Sequence, residues 1–320
     1  MKIFAAENSD LEVRMKSSAG GVFSLLAEKV IEKGGIVYGA AFNHDWKVVH
    51  KRISSKDEID SLRRSKYVYS HLGNTLIEAK KDLEEGKLVL FCSVPCQVAA
   101  MRKLAGDHTN LICVEVVCHG APKPEYWERY LDELCKKIGY DKAEITSINF
   151  RDKSTGWKNY SFTIRFQNEK EFTETHEKNL YMRAFLRDYT LREACFDCKF
   201  KYPEGTQADI TLGDLWGIDQ LAPEINNDLG TTLVISRTKI GDGFISQFKA
   251  LKEFSLEGVS QYNPAIMHSA QKPVKYIQFI KLSATKSLIT LSRKFTSPSF
   301  SKRKVMVMLQ TKRFLKKILK

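Results

Sequence analysis

The 320-residue chain is 43% hydrophobic, 11% aromatic and 28% charged, which excludes wholesale disorder and fibrous repeats and fits one large domain or two modest ones. Its formal charge of +13 is concentrated at one end. Residues 281–320 hold 12 Lys and Arg and no acid; removing those 12 from the chain's 51 leaves 39 bases against 38 acids in residues 1–280. A near-neutral body with a basic arm shows no basic groove, so no nucleic-acid partner is expected. No apolar run is long enough for a signal peptide or approaches the roughly 18 residues that span a bilayer, so a cytoplasmic body is expected.

In chain order, Gly20 to Lys33 has helical spacing and is stopped by Gly34-Gly35. Ile36 to Phe42 reads as a buried strand, paired through an Asn43-His44-Asp45 turn with Trp46 to Ile53. Leu72 to Leu83, Gln97 to Leu104 and Glu125 to Ile138 read as helices, alternating with strands at Leu88 to Cys92 and Leu111 to Val117. This alternation predicts a parallel α/β core. Ile145 to Arg151, Tyr160 to Phe166 and Glu171 to Thr175 read as antiparallel strands, followed by a helix near Leu180 to Tyr189 and short strands at Asp209 to Leu212 and Thr231 to Ser236. The predicted class is α/β to α+β, a mixed sheet core with parallel strand–helix units first and an antiparallel second half. Pro264 to Lys272 resembles a linker.

Seven cysteines in a chain of this length do not suggest a disulfide framework. Cys195 and Cys198 form a C-x-x-C pair, whose spacing lets two thiolates reach one metal. Cys96 follows Pro95 where a strand meets a helix, and Cys118 ends the 111–117 strand before His119-Gly120. If those strands are parallel neighbours, both cysteines lie at the edge where open α/β sheets bind ligands. Metal ligand and small core residue are both open readings for these two, and Cys92 lies close enough to substitute for Cys96. Cys113 and Cys135 read as core residues.

No G-x-G-x-x-G or Walker A pattern is present. Lys16 to Gly21 leads into a helix and reads either as a phosphate cradle or as a simple N-cap. Ser65 to Ser70 offers a cation and aromatic faces, as an ordinary edge strand also would.

Taken together, Lys16-Ser17-Ser18-Ala19-Gly20-Gly21-Val22-Phe23, Ser65-Lys66-Tyr67-Val68, Val94-Pro95-Cys96-Gln97, Val117-Cys118-His119-Gly120-Ala121-Pro122, Phe150-Arg151-Asp152-Lys153 with Gly156-Trp157, Cys195 to Phe200, and Ala208 to Gly217 resemble the coenzyme F420 hydrogenase/dehydrogenase beta-subunit family over about residues 1–240. The resemblance implies an oxidoreductase with FAD and a 4Fe-4S cluster, the cluster ligated by Cys96, Cys118, Cys195 and Cys198. It also implies flavin contacts at Ser17, Ser18, Gly20, Gly21, Ser65, Lys66 and Tyr67. Lys153 and Trp157 would cover the ring or substrate, although Trp157 and Trp216 also read as core aromatics. His119 would relay a proton or make a structural hydrogen bond. On this basis the chain divides into 1–85 with the flavin segments, 86–262 with the cluster, and 263–320 as linker and arm.

Two kinds of departure stand out. No cysteine precedes Cys92, so the ferredoxin-like N-terminal segment of many relatives is missing. A separate, ferredoxin-like electron donor or acceptor is therefore expected, in a biosynthetic reduction such as one in cell-surface polysaccharide assembly. Coenzyme F420 and a nicotinamide stay open as carriers. Arg64 stands where relatives have glycine, and Ser93-Val94 where they have Gly-Thr. In the arm, Val307, Met308, Phe314, Leu315, Ile318 and Leu319 fall on one helical arc with lysines opposite, which reads either as binding to an anionic membrane surface on the inner face or as a flexible solvated tail. The rival readings are an assembly partner with a structural four-cysteine zinc site and an iron–sulfur relay without flavin.

Overall fold

The structure, a computed structural model, describes residues 1–106, 108–246 and 248–297. Strand β1 (Lys2–Ala6) precedes helices α1 (Leu11–Met15) and α2 (Val22–Glu32), the hairpin β2 (Ile36–Phe42) and β3 (Val48–Ile53), and helices α3 (Ile59–Leu62) and α4 (Thr75–Glu84). Next come β4 (Val89–Ser93), α5 (Pro95–Ala105), β5 (Leu111–Val116) and α6 (Pro124–Ile138). A second group holds β6 (Ile145–Asp152), β7 (Ser161–Phe166), β8 (Glu171–Thr175) and α7 (Leu180–Leu186). The chain then forms β9 (Ile210–Asp214), α8 (Ile218–Leu221), β10 (Thr232–Ser236), α9 (Lys239–Ile245), β11 (Lys252–Glu253), α10 (Leu256–Ser260), α11 (Tyr276–Ser283) and α12 (Leu288–Thr296).

Eight strands make one mixed sheet in the order β11-β1-β10-β9-β5-β4-β2-β3, and β6-β7-β8 make a separate antiparallel sheet. β2, β4, β5 and β9 run parallel to one another, as the alternation of strands and helices predicts. Alternate side chains of the parallel strands face opposite layers. Leu90, Ile112 and Val114 pack with Val22, Leu26 and Val30 of α2, whereas Val89, Phe91, Leu111 and Cys113 pack with α4 and α5. Both faces are therefore covered, and the strand ends are left as the open edges.

Three strands and two helices differ from the sequence reading. β1 carries no local signal; it pairs with β10, Lys2 opposite Ser236, so its partner is more than two hundred residues away. β9 and β10 read as part of a separate second half, yet they join the first sheet, β9 parallel to β5 and β10 antiparallel to β9. Residues 276–296, grouped with the arm, form α11 and α12 and pack into the cluster built by α6, α7 and the small sheet. Glu133 of α6 accepts from the first amides of α12, Leu288 and Ile289. The arc from Val307 to Leu319 lies outside the described residues. No described helix is long and apolar enough to cross a membrane.

Phe279 of α11 is fully buried against Tyr126, Tyr189 and Phe295, at ring separations of 6.2, 5.3 and 5.4 Å. Phe279→Ala is expected to lower the unfolding free energy by about 3–5 kcal/mol, measured by denaturant titration. A loss under about 1 kcal/mol would show that α11 is not part of the folded body.

Candidate functional site: four converging thiols and a clamped loop

The parallel register of β4 and β5 sets Ser93 beside Glu115, so the chain leaves both strands at the same edge. There Cys96 enters the first turn of α5 behind Pro95, and Cys118 follows β5 by two residues. Cys195 lies in the 3-10 turn Glu193–Asp197, and Cys198 ends it. The fold brings their segments to one edge, where Gly120, two residues after Cys118, lies against Cys195. The Cys195 and Cys198 sulfurs oppose ionisation of Cys96, and those of Cys195 and Cys96 oppose that of Cys118. Burial is the larger effect and pushes Cys118 up to about 12, with Cys96 and Cys195 raised for the same reason. Among the described residues no three Cys, His, Asp or Glu side chains stand at metal-ligand spacing.

The surroundings supply what a cluster of thiolates requires. The Ala121 amide donates to Cys195 Sγ at 3.4 Å, and Gly120 donates from its backbone to Cys118. Gly120 has φ +147°, and a Cβ there would clash with Leu191 at 2.7 Å and touch Cys195 Cβ at 3.4 Å, so both the backbone and the packing favour glycine. The Arg192 guanidinium favours ionisation of Cys96 and Cys195, and Lys201 favours that of Cys118. Lys201 also joins Cys118 O to Ala265 O at 2.7 Å each, and Ser269 Oγ accepts from the Cys198 amide, so the 264–272 segment braces the thiols. Four sulfur donors, amide hydrogens and two cations fit a thiolate-ligated iron–sulfur group. Cys92 has a different charged neighbour, Lys66, and burial raises it to about 12. Cys113 and Cys135 are core residues, as the sequence indicated.

The second group of expected residues surrounds a clamped loop. Ser18 Oγ accepts from the Ser65 amide at 2.7 Å, which ties segment 16–21 to segment 65–70. Ser17 Oγ donates to Val13 O, and the Gly20 amide donates to Thr232 Oγ1, so these two polar groups are engaged within the protein. Gly21, at φ +83°, leads into α2, whose Val22 and Phe23 amides have no acceptor among the described residues. Lys66 donates to Ser61 O and Arg63 O, and burial with the nearby Arg64 charge pulls it down to about 7. Arg64 itself has φ +71°, the left-handed backbone that explains why glycine suits this position.

Lys153 takes a different form from its expected role, while Trp157 and His119 show the structural alternatives open for them. Lys153 donates to Arg14 O, Ala19 O and Leu229 O at 2.7–2.8 Å and is buried, so it pins the loop and faces no open space. Trp157 is fully buried, its Nε1 donating to Asp214 Oδ1 at 3.0 Å; it stacks on Trp216 at 5.3 Å and 4°, leaving only the half-buried Trp216 to present a ring face. His119 Nε2 is 2.6 Å from Asp188 Oδ1, with Phe185 edge-on at 5.5 Å. A carboxylate-held imidazole beside Cys118 can position a proton through its other nitrogen.

Several contributors were missed, although most lie in the quoted motifs. Arg151, on β6, forms a bidentate pair with Asp214 at 3.0 Å and 3.0 Å, donates to Tyr67 Oη at 3.2 Å and reaches Ser18 O. Burial opposes its charge, and Asp214, Tyr67 and Tyr160 together more than restore it. Segment 65–70 runs between the two groups: Tyr67 stacks on Phe185 at 4.7 Å, and Tyr69, facing Cys96, lies under Arg192 at 3.7 Å.

Lys153→Met would leave three carbonyl oxygens without their donor. It is expected to lower stability by about 2–4 kcal/mol in denaturant titration and to speed proteolysis within 14–21. An unchanged stability would remove the clamp from the description.

No curated protein is matched by this sequence. A chain of the F420-reducing NiFe hydrogenase complex from Methanosarcina barkeri superposes with a TM-score of 0.54 at 18% identity, covering 83% of this chain and 88% of that one, a likeness of fold. Two family models describe the N-terminal and C-terminal parts of the coenzyme F420 hydrogenase/dehydrogenase beta subunit; the first matches residues 3–77 and the second residues 86–261. The two matches take in most of the chain, which therefore belongs to the coenzyme F420 hydrogenase/dehydrogenase beta-subunit family.

Proposed function

We propose that the protein is a flavin- and iron–sulfur-dependent oxidoreductase that exchanges electrons with a separate carrier protein. The observation that carries this reading is the meeting of Cys96, Cys118, Cys195 and Cys198 from three distant segments at one sheet edge, beside two cations and two amide donors. Family membership among hydrogenase and dehydrogenase subunits supports a redox role.

In this reading the four thiols hold a 4Fe-4S cluster, while FAD lies along segments 16–21 and 65–67. When bound, the cluster supplies single-electron transfer and the flavin converts between single electrons and pairs. The chain's own groups set the conditions. Arg192, Lys201 and the Ala121 amide compensate negative charge at the sulfurs. The amides of Val22 and Phe23 at the start of α2, without an acceptor among the described residues, offer donors to a phosphate. Tyr67, through its hydroxyl, and Trp216, through its ring, both contact Arg151. His119, oriented by Asp188, holds a proton next to the thiol site.

Anaerobically purified full-length protein is expected to contain about four irons, about four acid-labile sulfides and about one FAD per chain. Cys198→Ser should cut iron by more than about half, whereas Cys92→Ser should retain it. Colourless protein carrying zinc would overturn the proposal in favour of a structural four-cysteine site. Iron and sulfide without FAD would overturn the flavin part.

A further inference from the structure

A cavity of about 560 Å³ opens on the far side of the 200–208 segment, lined in part by Arg102, His108, Tyr202, Thr206, Asp209 and Arg237. It is apart from the clamped loop and contains none of the four thiols. A small void bordered by Glu115, Lys201 and Cys118 shares Tyr202, Thr206 and Arg237 with it, so the two spaces meet at the Arg237 guanidinium.

The charges on its wall are unequally satisfied. Asp209 is fully engaged: Oδ2 accepts from Arg102 Nη2 at 2.7 Å and from the Cys113 amide at 2.8 Å, and Oδ1 accepts from Thr238. Arg237 is not. Its side chain is only 9% exposed, stacked 4.8 Å from the Tyr202 ring, and Nε donates to Thr211 Oγ1 at 2.9 Å. Among the described residues its remaining contacts are Met1 Sδ, 3.8 Å from Nη1, and Glu115, 3.9 Å from Nε. A guanidinium has five donors; Nη2 has no protein acceptor among the described residues and is not a fully buried atom, so it is open to a further acceptor from the cavity. Glu115 is a poor candidate for that acceptor. Its Oε1 is taken by Thr211, its Oε2 has no partner, and burial raises its pKa toward the neutral acid.

We propose that this cavity binds an oxyanion, the carboxylate or phosphate group of a small molecule, through the Nη donors of Arg237. The planar fork of Arg237 matches two oxygens of such a group, and a charge-assisted pair in a half-enclosed site offsets the guanidinium's lost hydration. The Arg102 and Asp209 charges cancel in their ion pair, which leaves Arg237 and, beside the adjoining void, Lys201 as the cations of this region. The proposal stands independently of which redox group the thiols hold.

Isothermal titration of the full-length chain with inorganic pyrophosphate and, separately, with glutarate, against potassium chloride of matched ionic strength, tests it. Saturable binding of at least one probe is expected, and which one saturates distinguishes phosphate from carboxylate recognition. Arg237→Gln should weaken that binding by about tenfold or more. Thr206→Phe, which fills the mouth of the cavity while leaving Arg237 in place, should abolish it without moving the melting temperature. No saturable binding by either probe, or unchanged affinity in a folded Thr206→Phe protein, would overturn the proposal, including where Arg237→Gln does not fold.

Discussion

The buried pair of Arg151 and Asp214 is the interaction on which the site's architecture depends. Arg151 comes from the small sheet and Asp214 from the end of β9 in the large one, so the pair fixes one sheet to the other. Its side groups then set the rest. Asp214 also accepts from Trp157, whose ring supports Trp216; Arg151 also donates to Tyr67 and reaches Ser18, and its plane lies between Tyr160 and Trp216 at 4.1 and 5.2 Å. An ion pair with one partner 1% exposed is costly to desolvate and gains little for stability as such. Its benefit here is position, because removing either charge would strand the other beside the loop.

The second constraint is the segment from Ser65 to Ser70. It carries Tyr67 toward the Arg151 pair and Tyr69 toward Cys96 and Arg192, so the clamped loop and the thiols share one short stretch of chain. Hydrogen bonds of its backbone to Ser18 Oγ at one end and Pro122 O at the other hold it in place. Two redox groups bound at either end would be separated by aromatic side chains and not by water. The electrostatics of the thiol end follow from burial: Cys96, Cys118 and Cys195 are reluctant to ionise alone, and a bound cation would reverse that.

Much of this was legible because it is local or periodic. The strand–helix alternation between Leu88 and Ile138 pointed to the parallel core, and the parallel register followed by Cys96 and Cys118 made their convergence readable. What was not legible is long-range. β1 has five residues and finds its partners at the other end of the chain. The role of Lys153 depends on three carbonyls contributed by Arg14, Ala19 and Leu229, none near it in sequence. A lysine and a tryptophan in a motif look like chemistry, yet Trp157 is an inner support and Lys153 a clamp. Arg151 and Asp214 stood in the same motifs, and their pairing could not be seen without the two sheets in place. Arg64 is the converse case, a departure from glycine whose cost is visible only in its positive φ.

A double-mutant cycle on unfolding free energy with Arg151→Met, Asp214→Leu and the double variant measures the central interaction directly. A coupling energy above about 2 kcal/mol is the expected result, since each single change leaves a buried charge without its partner. A coupling below about 0.5 kcal/mol, with the single changes simply additive, would contradict the claim that this pair holds the two sheets and the site between them together.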